Sequence, residues 1–119
     1  MPTIGTFKYD NLFAGNAEVV TDAVTLKSGS SYVRGTVLGI ASDTGEAVPV
    51  NSLATDGSEI PYAILQEDVD ATDGAKPGTI YLTGEFNENA LTFGGTDTSA
   101  THKLKLREIG IFLKNNQEA

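Results

Sequence analysis

Short apolar runs broken by glycine-centred turns set the strongest limit on how this chain folds. The stretch SSYVRGTVLGIASDTGEAVPV, from Ser30 to Val50, shows the pattern: a strand-like run, a tight turn and a second strand-like run. Thirteen glycines are joined by many Thr and Val residues and by repeated Asp-Gly and Thr-Gly pairs. β-Branched side chains fit a pleated surface, and glycine accepts the positive φ that tight turns demand. The chain of 119 residues therefore reads as one mainly β domain of ordinary size, with one or two short helices.

Along the chain, Val24 and Leu26 alternate with Thr25 and Lys27, which predicts a strand. SGSS at 28–31 predicts a turn, and YVRGTVLGI at 32–40 predicts the next strand, its mixed pattern expected from burial on both faces. Gly35 and Gly39 suit a bulge or a close approach of backbone. ASDTGEA at 41–47 predicts a turn in which Asp43 makes an Asx-type hydrogen bond and Gly45 takes positive φ. VPV at 48–50 resumes a strand, with Pro49 favouring an edge. After a loop, YAILQEDVDA at 62–71 predicts a short buried strand running into an acidic turn, and TDGAKPGT at 72–79 predicts a further turn. IYLTGEF at 80–86 predicts a strand, and NENALTFGG one helical turn capped by Asn87. A helix is predicted over about 99–109, capped by Asp97, Thr98 or Ser99 and stopped by Gly110, although the alternation of Leu104 and Leu106 also permits a strand. GIFLK reads as a closing strand.

Residues 1–24 differ from the rest. Phe7, Tyr9, Leu12 and Phe13 stand among Gly, Asn, Asp and Pro and sustain no period of 3.6 or 2.0. Phe7 and Tyr9 fall on one face of an extended segment. This stretch reads as an N-terminal arm, with the domain proper spanning 25–119. Ordering an arm costs roughly 1–2 kcal/mol per residue, so its ordering calls for a surface to lie on.

Composition removes several functions. The chain has no cysteine, which excludes disulfides, thiolate metal sites and cysteine nucleophiles. No apolar run approaches the roughly 18–20 residues of a membrane helix, and MPTIGTFKYD lacks the basic and apolar regions of a secretory signal. The net charge of −8 argues against direct contact with nucleic acid. Charge is also unevenly placed. Eleven acids and one base lie between Asp43 and Asp97, whereas four bases and one acid lie between Lys103 and Lys114.

Catalytic chemistry finds no foothold. His102, the single histidine, sits among lysines and is expected on the surface. EDVDATDG at 67–74 is the best calcium candidate, but a loop counted from Asp68 places Asp73 where glycine is needed and Thr79 where glutamate is needed. Glu67 and Asp68 are adjacent and point to opposite faces of a strand, so they form no facing carboxylate pair. No nucleophile elbow, phosphate loop or dinucleotide fingerprint occurs. The reading is a non-enzyme without cofactor or metal.

Four segments in order, DNLFAGNAEVVTDAVTLKSG, RGTVLGI, AILQEDVDA and LREIGIFLK, resemble the head decoration proteins of tailed bacteriophages, the lambda-type capsid-stabilising family. The resemblance runs from about Phe7 to Lys114. It implies a compact barrel- or sandwich-like β domain that forms homotrimers on the outer surface of the expanded head, at three-fold and quasi-three-fold positions. Such trimers cement major capsid protein subunits against the pressure of packaged DNA. It implies manufacture in the host bacterial cytoplasm and residence in the virion. It also implies that the arm lies against the major capsid protein, which makes Ile4, Phe7, Tyr9, Leu12 and Phe13 the candidate capsid contacts. The alternatives are another β-rich virion component, such as a tail-tube or head-completion protein, and a small binding module or concealed enzyme. SDTGEAVPVNSLATDGSEIP matches no motif of the family.

Overall fold

A computed structural model of the chain describes residues 19–114. Eight strands form: β1 (Val20–Leu26), β2 (Ser31–Tyr32), β3 (Val37–Ile40), β4 (Ala47–Pro49), β5 (Ala63–Leu65), β6 (Val69–Asp70), β7 (Lys76–Asn87) and β8 (Ile111–Lys114). A 3₁₀ turn (Glu88–Ala90) and one helix, α1 (Ser99–Glu108), lie between β7 and β8.

β1, β4, β3, β5 and β7 follow one another in a sheet that closes on itself, because β7 also pairs antiparallel with β1. β8 adds to the far half of β7 in parallel, from Gly84↔Ile111 to Asn87↔Lys114. The result is a five-stranded barrel with one extra strand, and β2 and β6 form a separate small ribbon. Closure removes the exposed edges that invite unwanted strand pairing.

Both faces of the central strands are buried. Leu26, Leu38, Ala47, Ala63, Leu65 and Ile80 belong to one apolar cluster, whereas their strand neighbours Val37, Ile64 and Tyr81 belong to a second with Phe86, Leu106, Ile111 and Leu113. Successive residues of a strand point to opposite faces, so the first cluster fills the barrel and the second lies between its wall and the α1–β8 cover. Double burial explains why YVRGTVLGI lacks simple alternation. Small residues suit the narrow interior: a Cβ at Gly78 would come within 2.9 Å of Leu26 Cδ1 and 3.2 Å of Leu65 Cδ1.

Local signals hold where backbone geometry decides. Asn87 caps the 3₁₀ turn, its side chain accepting from Asn89 N at 3.1 Å. Thr98 is the N-cap of α1, its N–H donating to Thr101 Oγ1 at 3.0 Å. Gly110, at φ +92°, ends the helix and lets the chain turn into β8. The helix buries His102 and Leu106 and leaves Leu104 outside, which settles the competing strand reading.

Four expectations need correction. The strand expected over 32–40 is broken at Gly35, whose φ of +92° forms a turn between β2 and β3. The strand expected over 62–71 divides into β5 and β6. The turn expected over 72–79 gives way at Lys76, where β7 begins with Pro77 near its start, a place where a missing N–H is tolerated. In the 41–47 turn the side-chain acceptor is Thr44 Oγ1, which takes Glu46 N at 3.2 Å, and not Asp43. β1 starts at Val20, ahead of Val24, where the alternating strand was expected to begin. Val20–Thr25 are mostly exposed and give no alternation; backbone pairing to β7 holds them.

Candidate functional site

The groups that hinted at chemistry are occupied with structure. His102 is 3% exposed, so the expected surface position is wrong. Its Nε2 lies 2.7 Å from Asp97 Oδ2, and its ring stacks on Phe93 with centroids 5.8 Å apart. Asp97 also accepts from Ser52 N at 2.6 Å and Ser52 Oγ at 2.7 Å. Burial alone would raise the Asp97 carboxyl, but the hydrogen bonds from His102 and Ser52 outweigh it and hold the group below the usual carboxylate range. The network ties the loop after Val50 to the first turns of α1. Neighbours in sequence misled the surface expectation, because the ring packs against Phe93 and Asp97, and Asp97 is held in turn by Ser52, 45 residues away.

The acidic turn is equally committed. Asp68 Oδ1 accepts from Arg34 N at 2.7 Å, Asp70 Oδ1 from Thr72 N and Oγ1 at 3.1 and 2.7 Å, and Glu67 Oε2 from Thr79 N at 3.3 Å. Hydrogen bonds from the Thr72 side chain and backbone lower the Asp70 carboxyl. No group of three or more potential metal ligands assembles among the described residues.

The feature that does stand out is the root of the N-terminal segment. β7 changes partner there: β1 pairs with it up to Val20↔Thr83, and β8 from Gly84↔Ile111 onward. Val20 N donates to Thr83 Oγ1 at 3.2 Å and Gly84 N to Gly110 O at 3.1 Å, which fixes the junction from both sides. Gly84, at φ +146°, has no room for a side chain, because a Cβ would come within 3.0 Å of the Phe86 ring.

Around this junction four large apolar residues remain open to solvent: Val19 (39%), Val20 (42%), Ile109 (40%) and Phe112 (41%). They are four of the nine exposed large hydrophobics among the described residues, gathered where residues 1–18 join the barrel. Phe112 was legible in GIFLK, since alternation buries Ile111 and Leu113 and turns Phe112 outward. The five arm residues singled out from sequence, Ile4, Phe7, Tyr9, Leu12 and Phe13, lie outside the described residues. The arrangement offers apolar contact area beside paired strand backbone.

No curated protein matches the chain. A family model does, that of the bacteriophage lambda head decoration protein D, over residues 1–111. A match across nearly the whole chain, on a strand-rich barrel, makes this protein a member of the lambda head decoration protein D family.

Proposed function

We propose that the protein binds as trimers to the outer surface of the expanded phage head, at three-fold and quasi-three-fold positions. There it cements neighbouring major capsid protein subunits against the pressure of internal DNA. The observation that carries this reading beyond family membership is the junction: residues 1–18 enter a closed barrel at the place where apolar side chains stay exposed. An extended segment of 10–12 residues spans roughly 35–40 Å, enough to reach a neighbouring subunit. Strand addition satisfies backbone groups with little demand on sequence, while alternate side chains such as Phe7 and Tyr9 fill pockets. One such arm binds weakly because it orders on contact; three on a single trimer act together through their effective concentration.

Co-sedimentation with expanded heads lacking decoration tests the proposal, comparing the full chain with a variant deleted for residues 2–18. The deletion stops short of β1, so the barrel keeps every strand. The full chain is expected to bind saturably near one copy per capsid subunit, and the deleted form to fold but not bind. Equal binding by both forms would remove the arm from the mechanism. Binding by neither would point to another place in the virion.

A further inference from the structure

Two Asp-Gly pairs occur in the chain, Asp56-Gly57 and Asp73-Gly74. Such a pair carries chemistry of its own. The backbone nitrogen of the glycine can attack the aspartate Cγ, because no side chain on the glycine blocks the approach. The fold treats the two pairs in opposite ways.

Asp56-Gly57 is locked. Asp56 Oδ1 accepts from Ser58 N at 3.0 Å and from Ser58 Oγ at 2.6 Å. Its carbonyl oxygen accepts from Ser42 N and Ser42 Oγ, both at 2.7 Å. Gly57 N donates to Glu59 Oε1 at 2.8 Å, and a Cβ on Gly57 would lie 3.0 Å from Ile40 O, so this glycine sits hard against β3. The hydrogen bonds from Ser58 also hold the Asp56 carboxyl below the usual carboxylate range, which keeps it in the ionised form that resists attack. To react, Asp56 must release Ser58, and giving up two hydrogen bonds to a carboxylate slows the attack by about tenfold or more.

Asp73-Gly74 is open. Asp73 is exposed, and its carboxylate has no hydrogen bond or ion pair among the described residues. A Cβ on Gly74 would meet nothing within 4 Å. The Gly74 N–H makes one long bond, to Ala71 O at 3.3 Å.

We propose that Asp73 is a site of spontaneous modification, converting to isoaspartate through a cyclic imide while Asp56 stays intact. Gly74 N bonds to Asp73 Cγ, the amide proton passes to solvent, and one carboxyl oxygen leaves as water. Water then adds to either imide carbonyl and breaks its bond to nitrogen. Opening at the Cγ carbonyl restores aspartate; opening at the main-chain carbonyl leaves the backbone running through Cβ and Cγ. One water leaves and one returns, with no oxidant or reductant. The lengthened backbone is confined to a short turn. On one side Ala71 N donates to Ser30 O and Ala71 O accepts from Gly29 N, both at 2.9 Å; on the other, Lys76 pairs with Leu26 where β7 begins. Residues 72–75 absorb the change, and the barrel keeps its Tm.

The full chain is aged for weeks near neutral pH, folded in one arm and in urea in the other. Isoaspartate is counted by enzymatic methylation with labelled S-adenosylmethionine. It is located, after unfolding, with Asp-N endoproteinase, which cuts ahead of aspartate and not ahead of isoaspartate. The folded chain is expected to lose the cut at 73 and keep the cut at 56, whereas the chain in urea loses both. Gly74→Ala, which crowds the attacking nitrogen, should preserve the cut at 73. A folded chain that keeps the cut at 73, or loses both cuts at one rate, would overturn the proposal. Gly74→Ala ageing as fast as wild type would overturn the route through the glycine nitrogen, and a Tm that falls as isoaspartate accumulates would overturn its confinement to the turn.

Discussion

Gly39→Ala tests whether the glycines of the opening stretch are structural requirements. Gly39 lies in β3 opposite Val48, with no positive φ that would itself demand glycine. The constraint is space. A Cβ at Gly39 would sit 2.8 Å from the carbonyl carbon of Ser58 and 2.9 Å from its Cα, and closer still to its oxygen. Ordinary contact begins near 3.4 Å, so backbone must retreat, and Ser58 is not free to do so. Its oxygen accepts from Asn51 N at 3.3 Å, and its N–H and hydroxyl both donate to Asp56 Oδ1, at 3.0 and 2.6 Å. Overpacking of this kind costs about 1–3 kcal/mol, while alanine recovers about 0.4–1 kcal/mol by restricting the unfolded chain. The net is a loss of about 1–2 kcal/mol, which lowers Tm by roughly 4–16 °C in a domain of this size. The assay is thermal unfolding followed by circular dichroism, with Gly74→Ala as control. At Gly74 a Cβ would meet nothing within 4 Å and φ is not positive, so Tm should hold or rise slightly. A Gly39→Ala protein as stable as Gly74→Ala would refute the argument from close approach.

Asp97→Asn should lower stability at pH 7 by about 2 kcal/mol, the scale of hydrogen bonds to a charged group. Because the folded-state carboxyl lies below its ordinary value, its contribution is present above the ordinary carboxylate range and fades as pH falls through the lowered value. Tm measured from neutral to strongly acid pH should therefore show wild type and variant converging, and a constant gap would dismiss the electrostatic account. Replacing Phe7 and Tyr9 with Ser should weaken head binding at unchanged Tm; unaltered affinity would strike both residues from the capsid-contact set.

Much of the fold could be read from sequence wherever one residue's geometry decides. Asn87, Thr98 and Gly110 mark their turns by rules that need no tertiary partner. Reading failed where a distant segment decides. Val20–Ala23 lie ahead of the alternation that marks Val24 and Leu26, and they are strand because β7 lies beside them. Lys76-Pro77-Gly78 looks like a turn, yet Gly78 is needed for the space that Leu26 and Leu65 fill. His102 looks exposed among lysines because Asp97 and Phe93 are invisible as partners until α1 folds onto the loop. The candidate capsid contacts, Ile4, Phe7, Tyr9, Leu12 and Phe13, rest on the resemblance and lie outside the described residues.

β7 is the element that joins these features. Its first half pairs with β1 and its second half holds β8, with the start of β1 between them at Thr83–Gly84. A continuous strand is stiff along its length, and here it is clamped by β1 on its first half, β5 at its centre and β8 on its last residues. On the proposed trimer, such a strand fixes the spacing at which the three N-terminal segments leave their barrels. On that proposal the spacing governs attachment, because the gain from linking weak sites is greatest when their separation matches the sites they must reach and vanishes when it cannot. The barrel needs no chemistry of its own to do this. On the proposed function it needs a rigid strand, and the glycines at 39, 78 and 84 are where close packing or an unusual backbone angle makes that strand and its neighbours fit.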